Sequence, residues 1–328
     1  MIWRQFFRRI MQWFGFECYL FRRRIFIEDA LKFVFEHEEA GIRASYDNFA
    51  RSLNLPPKCA RRIFSQLVHS GLAQELDDSI SLTDTGRREA LRIVRLHRLW
   101  EKYLAEETDL DPSQWHAKAH VLEHMTSQEA ADSLVARLGN PRFDPHGDPI
   151  PTEAGEIRSV SGVALPTAQP GDIVEVSHLE DEPVSVFREL LDRGLHLGAQ
   201  LQIETSSAEG VTVRHHGETV TLSPQASQNV HVKLISKKDL RFWQKKPKTL
   251  ADLGLGEEGT VTGLSPACRG LARRRLLDLG FVPGTRVRAE LCSVGGDPMA
   301  FRVRNTLIAL RKTQAALILI DMEKSVPR

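Results

Sequence analysis

The sequence predicts an α+β chain of several domains: an N-terminal winged helix-turn-helix, a helical domain rich in histidine, and two small SH3-like β-barrels. Three observations carry this. Three helical stretches followed by two short strands lie between residues 25 and 95. His116, His120, Glu123 and His124 crowd one segment, WHAKAHVLEHM. The C-terminal half repeats itself, FRELLDRGLHLGAQLQIE (187–204) aligning without gaps on RRRLLDLGFVPGTRVRAE (273–290). A length of 328 residues allows several buried cores. The expected boundaries are a basic aromatic segment at 1–24, the winged helix at 25–95 and the helical domain at 96–152. A linker at 153–164, the first barrel at 165–236, a basic linker at 237–248 and the second barrel at 249–322 complete the chain.

In IEDALKFVFEHEEAG the apolar positions Ile27, Leu31, Val34 and Phe35 fall on one helical face, and Gly41 ends the run. Ser45 is placed to cap a short helix in YDNFARSLNL. Pro56 and Pro57 open the next helix, KCARRIFSQLVHSGL, with Ile63, Leu67 and Val68 expected inward. AQELDDSISLTDTGR reads as two strands around Asp77 and Asp78, and this order of elements makes the second and third helices a helix-turn-helix. A long amphipathic helix from about Asp84 through Tyr103 follows, then the His116 helix, then SQEAADSLVARLG, stopped by Asn140-Pro141. PRFDPHGDPIP and the residues to about Ala164 read as linker. Each C-terminal copy surrounds one short helix with about five strands. His215 and His216 alternate on a strand and are expected at the surface.

Net charge is +1, so no global field advertises nucleic acid or membrane. Four cysteines (18, 59, 268, 292) without CxxC spacing fit a reducing compartment and exclude a Cys-rich zinc module. No apolar run reaches the length of a membrane span. Residues 1–24 carry six Arg against one Glu, interleaved with aromatic residues. Such a segment can lie on a membrane surface, pack on a partner or meet DNA phosphates.

The histidine segment carries the chemistry. On a helix, residues three and four apart are neighbours, so His116, His120, Glu123 and His124 share nearly one face. His97 and Glu101 in RLHRLWEKYL repeat the spacing one segment upstream. Imidazole and carboxylate together suit Mn, Fe, Co, Ni or Zn rather than Ca or Mg. Two such helices converging on one divalent cation is the expectation. His120-Val-Leu-Glu123-His124 also matches the HxxEH pattern of zinc peptidases.

Residues 25–151 resemble the DtxR/MntR metal-dependent repressors through RLHRL with its following Glu, HAKAHVLEH and the closing NPRFDPHGDPIP. The two repeats resemble FeoA-type SH3-like domains, best seen in LLDLGFVPGTRV. The resemblance implies ligand roles for His97, Glu101, His116, Glu123 and His124. His120 falls where relatives carry Cys or Glu, and Asp29 where manganese-type members supply an Asp. Lys32 replaces a second carboxylate of the manganese sensors, which argues against a binuclear site. Two further ligands that iron-type members take from the SH3-like domain align with Pro183 and Val186, so that arrangement is not expected.

The implied protein is no enzyme. It is a repressor of metal-uptake genes that binds Mn(II) or Fe(II), with Zn(II) a further candidate. Bound to metal, it reads a pseudo-palindromic double-stranded operator as a homodimer. Its recognition helix spans about Pro57 to Ser70 and presents Lys58, Arg61, Arg62 and Gln66 to DNA, while Asp77 and Asp78 disfavour phosphate contact at the wing. The expected location is the cytoplasm, with peripheral membrane contact through residues 1–24 as an added expectation. One alternative is a membrane-associated accessory or regulatory tail of a metal transporter, since RRRIFIEDALKFV resembles the tail of certain permeases. The other is a zinc peptidase built on HVLEH.

Overall fold

The computed structural model describes residues 16–76, 79–158, 162–215, 217–235, 248–265 and 267–322. The chain divides into two compact units. One holds residues up to Trp100 with Lys118–Arg142 and Pro149–Arg158; the other holds Glu101–Ala117, Phe143–Asp148 and the chain from Ser159 onward.

The first unit opens with α1 (Phe16–Glu39), α2 (Tyr46–Ser52) and α3 (Pro57–His69), followed by the hairpin β1 (Ala73–Leu76) and β2 (Ser79–Leu82). Ser45 accepts from the amide of Asn48, satisfying one free donor at the start of α2. Pro57 occupies the first turn of α3, where its missing N–H costs nothing. Ala73 pairs with Leu82 in the hairpin, and Ala44 adds a bridge to Ile80. The core joins Leu31, Val34 and Phe35 of α1 with Phe49, Ile63, Phe64 and Leu67. Into it also pack Ile93 and Val94 of α4 (Asp84–Glu107). Phe49 and Phe64 stack with ring centres 4.9 Å apart. At Gly86 a Cβ would lie 1.8 Å from the carbonyl oxygen of Leu72, so only glycine lets α4 start this close to the wing. The unit is completed by the C-terminal part of α5 (Trp115–Glu123) and by α6 (Gln128–Arg137).

Three expectations change here. The first helix does not begin near Ile25 but runs from Phe16, so the 24/25 boundary falls inside a continuous helix. Val68 is exposed rather than inward. Phe143–Asp148, read as linker, packs in the second unit with Asp144 and His146 buried. The expectations for residues 1–15, for the wing tip at Asp77 and Asp78, and for His216 lie outside the described residues.

The second unit contains the two repeats. The first is a six-stranded antiparallel sheet in the order β3-β8-β4-β5-β6-β7, the second a five-stranded sheet in the order β12-β11-β10-β9-β13. Leaving β3 (Val163–Ala164) aside, the two share one topology. The shared strands of the first are β4 (Ile173–Leu179), β5 (Gln200–Ser207), β6 (Gly210–His215), β7 (Glu218–Leu222) and β8 (Val230–Leu234). Those of the second are β9 (Glu258–Leu264), β10 (Arg286–Cys292), β11 (Met299–Val303), β12 (Thr306–Leu310) and β13 (Ile318–Met322). Among the described residues no first-to-last pairing closes either sheet.

The repeat is exact in detail. The helices α7 (Val184–Asp192) and α8 (Gly270–Asp278) occupy aligned positions, and each ends at a glycine of positive φ, Gly194 and Gly280. A β-bulge recurs at Ile203/Thr205 and at Ala289/Leu291. His215, expected at the surface, is buried, its Nδ1 3.0 Å from the carbonyl oxygen of Gln200.

Candidate metal centres and the DNA-facing helix

Histidine and carboxylate residues singled out in the sequence contribute to a group within the first unit and to another within the second. In the first, α1 supplies Asp29, α5 supplies His120 and Glu123, and the turn just after it supplies His124, with one ligand atom from each within 4.8 Å of the others. His124 Nε2 stands 3.0 Å from Asp29 Oδ1, and His120 Nδ1 stands 3.2 Å from Glu123 Oε1. Asp29 Oδ1 and His124 Nε2 are buried with no hydrogen-bond geometry to any partner, although they face one another. Buried polar atoms seek a partner of matching charge. A cation between them would satisfy both.

The surroundings of this group are equally ordered. Glu28, the residue before Asp29, accepts from Nδ1 of His124 at 2.7 Å and ion-pairs with Arg24 and Arg92. Fixing the far ring nitrogen in this way aims Nε2 at the group. Because α1 begins at Phe16, neither Glu28 nor Asp29 sits in a first turn, and helix-dipole stabilisation does not explain them. On the other side Glu123 Oε2 meets His97 Nδ1 and lies 3.6 Å from Lys32 Nζ. Burial would raise the Glu123 carboxyl, but Lys32 and His97 hold it well below the usual carboxylate range. Burial likewise pulls His124 down, yet Asp29 and Glu28 raise it to about 9. His97, read as a ligand from the sequence, therefore meets the outer oxygen of Glu123 within the first unit.

The second group lies wholly within the second unit. His116 Nδ1 is 3.3 Å from Glu101 Oε1 and 3.0 Å from Asp181 Oδ2. His146 Nδ1 is 3.7 Å from Glu101 Oε2 and 3.8 Å from Asp181 Oδ2. Glu101, Asp144 and His146 also offer atoms within 4.8 Å of one another. Asp181 Oδ2 and His146 Nε2 are buried without a hydrogen-bond partner. Burial lowers His146, but Glu101, Asp144 and Asp181 raise it to about 9.

Asp144, His146 and Asp181 were not singled out from the sequence. The available signal was the Asp-x-His of FDPHGDP, where Asp144 Oδ1 accepts the amides of His146, Gly147 and Asp148 and so pins the loop. Pro183 and Val186 have no side-chain atom that could ligate a cation. The first repeat nevertheless reaches this group with a carboxylate two residues earlier, at Asp181.

On α3 the apolar residues Ala60, Ile63, Phe64 and Leu67 face the core. Lys58, Arg61 and Arg62 are exposed, and Gln66 is half-buried. Arg61 lies over the Tyr46 ring at 5.8 Å, and Arg23 donates to Gln66 at 3.2 Å. Arg23 thus joins the face read from the sequence.

Comparison with known proteins agrees with these observations. Residues 83–152 match the profile "Iron dependent repressor, metal binding and dimerisation domain", and residues 163–234 and 248–322 each match the FeoA domain. The iron-dependent repressor IdeR of Mycobacterium tuberculosis is 28% identical over 220 residues, covering 62% of this chain and 95% of that protein. The solved structure of a manganese-dependent transcriptional repressor in complex with manganese is 31% identical with a TM-score of 0.60, covering 63% of this chain and 99% of that one. A probable metal transport system membrane protein of Chlamydia trachomatis is 32% identical over 142 residues, but the match spans only 32% of that protein. This chain belongs to the family of iron- and manganese-dependent transcriptional repressors. Among the described residues no helix is long and apolar enough to cross a membrane.

Proposed function

We propose that the protein is a divalent-metal-dependent repressor that binds its operator as a homodimer. Asp29, His120, Glu123 and His124 would hold the ion that switches it. The observation that carries this is the place of Asp29, on the first helix of the winged domain, against ligands drawn from α5 and the turn just after it. A cation bound by both stabilises only the ordered arrangement of the reading head, so DNA affinity rises with metal by linkage. The mixed nitrogen and oxygen set suits Mn(II) or Fe(II), and Zn(II) is a competitor. The ammonium of Lys32 beside Glu123 takes the place a second ion would need, which favours a single ion here. Glu101, His116, His146 and Asp181, with Asp144, would form a second, separate cation site.

Of the exposed residues on α3, Arg61 and Arg62 are suited to bidentate base contact and Lys58 to phosphate. A two-fold dimer would place two such helices about 34 Å apart or a multiple of it, on a pseudo-palindrome. Regulation of metal uptake follows from a repressor that needs the metal, and a DNA-bound role places it in the cytoplasm. The peptidase reading is not favoured, since the similar proteins are metal-dependent repressors. Fluorescence anisotropy with the DNA upstream of its own gene tests the proposal. Binding should appear with Mn(II) or Fe(II) and vanish with chelator, and equal affinity in both conditions would remove the switch.

A further inference from the structure

We propose that the second FeoA domain is a clamp on the segment that presents His116, and that its docking sets how tightly the second centre holds a divalent cation. The proposal rests on the reading of Glu101, His116, His146 and Asp181 as a cation site. Every residue involved lies in the second unit.

The contact is built at three points along residues 107–115. At Gly270, with φ +56°, a Cβ would lie 2.1 Å from the carbonyl oxygen of Thr108 and 2.9 Å from its carbon. The two backbones therefore touch, and any side chain at 270 would force them apart. One residue earlier, the Arg269 guanidinium sits 5.1 Å from the ring centre of Trp115, a cation–π distance. One turn later, Arg274 ion-pairs with Glu107.

Trp115 passes this grip to the centre. It is 2% exposed, and its indole N–H donates to the carbonyl of Leu110 at 3.0 Å, so it cannot move independently of its loop. It is covalently joined to His116. Its ring centre is 5.9 Å from that of His146. A displaced Trp115 would disturb two of the four donors together.

The repeat explains why the second domain acts this way. Aligned as above, Asp181 falls opposite Ala267, and Pro183-Val184 falls opposite Arg269-Gly270. Both copies turn the start of the same helix toward the 101–117 segment. The first delivers a carboxylate, and also an arginine, Arg188, to Ser113 at 3.2 Å. The second has no carboxylate at that position and delivers a cation and a bare backbone to the loop behind His116. Arg269, Gly270 and Arg274 are positioning residues for the centre. Coupling of this kind is reciprocal, so metal in the centre tightens the docking, and anything that draws the second domain away loosens the metal.

Calorimetric titration of the full-length protein with Mn(II) tests this. Wild type should take up two ions per protomer, with the weakened class in Asp181→Asn marking the second centre. Arg269→Ala and Gly270→Val should each weaken that class by about tenfold or more, as loss of a supporting contact does, and leave the other class unchanged. Arg269→Lys, which keeps a cation over Trp115, should recover most of the loss. In wild type, Mn(II) should also slow hydrogen exchange in residues 107–115 and 270–278, and this protection should be absent in Asp181→Asn. If Gly270→Val does not fold, Arg269→Ala with its lysine rescue still decides the matter. Unchanged affinity in folded Arg269→Ala overturns the clamp alone. So does equal weakening of both classes, which marks general damage. A wild type that binds a single ion overturns the second centre itself, before any variant is made.

Discussion

The two candidate centres use the same donors but differ in what already stands beside their carboxylates. In the first, besides the imidazoles of His97, His120 and His124, Glu123 has the ammonium of Lys32, and Glu28 behind His124 has the guanidinium groups of Arg24 and Arg92. In the second, Asp181 and Glu101 face the imidazoles of His116 and His146. A fixed cation cannot leave when a metal arrives, whereas an imidazole can release its proton and become a ligand. The first centre is thus limited in how much positive charge it accepts. The second is governed mainly by proton release.

The widest separation should come from removing a donor of the first centre. Glu123→Ala and His124→Ala should each abolish metal-dependent operator binding, a loss beyond the roughly 10- to 100-fold that follows removal of a supporting partner, with the dimer intact by light scattering. Wild-type metal response in either variant would show that the switch lies elsewhere.

Acidity gives the next largest effect. His124 and His146 stand at about 9 without metal, and each must be neutral to ligate. Mn(II) affinity should therefore rise with pH from 6.5 to about 9, by roughly tenfold per unit for each proton displaced. Calorimetry in buffers of different ionisation enthalpy would count those protons, and a flat profile would contradict the assignment of both histidines. The same shifts act on stability with the opposite sign. Raised histidines stabilise the metal-free fold below their unfolded value and lose that contribution as pH climbs through 9. The apo protein should melt lower at pH 9 than at pH 6.5, and saturating Mn(II) should reduce the difference.

Asp181→Asn should weaken the second centre 10- to 100-fold, the range seen when a coordinating or supporting carboxylate is lost. The first centre should keep its affinity. Weakening of both would mean that the two are not independent. The smallest effect belongs to Lys32→Gln, which removes the fixed cation and should tighten Mn(II) at the first centre by about tenfold, since a like charge nearby opposes the ion. No change would show that the ammonium is already screened.

Much of the winged domain was legible because it is written in local signals. Ser45, Pro57 and the apolar spacing of α3 each fix a boundary within a few residues. His120, Glu123 and His124 were legible for the same reason, since one helix turn brings them together. Asp144, His146 and Asp181 come from two loops and meet only through the fold, so periodicity cannot reveal them. Alignment with the iron-type relatives pointed to Pro183 and Val186, whereas the carboxylate is Asp181, just before the helix. For His97 the spacing to Glu101 is visible in sequence, while its contact with Glu123 appears only in the fold. Glu28 carried no signal of its own, because its contact with His124 spans 96 residues and exists only in the fold.

That helix has one more consequence. Arg23, which touches Gln66 on the reading helix, and Asp29, which enters the first centre, stand on the same unbroken α1. Six residues of helix place them about 9 Å apart along the axis. A short helical rod is stiff over that distance. On the proposed reading, an arriving ion would need no hinge to reach the face that meets the operator, because Asp29 and Arg23 would move as one rigid piece.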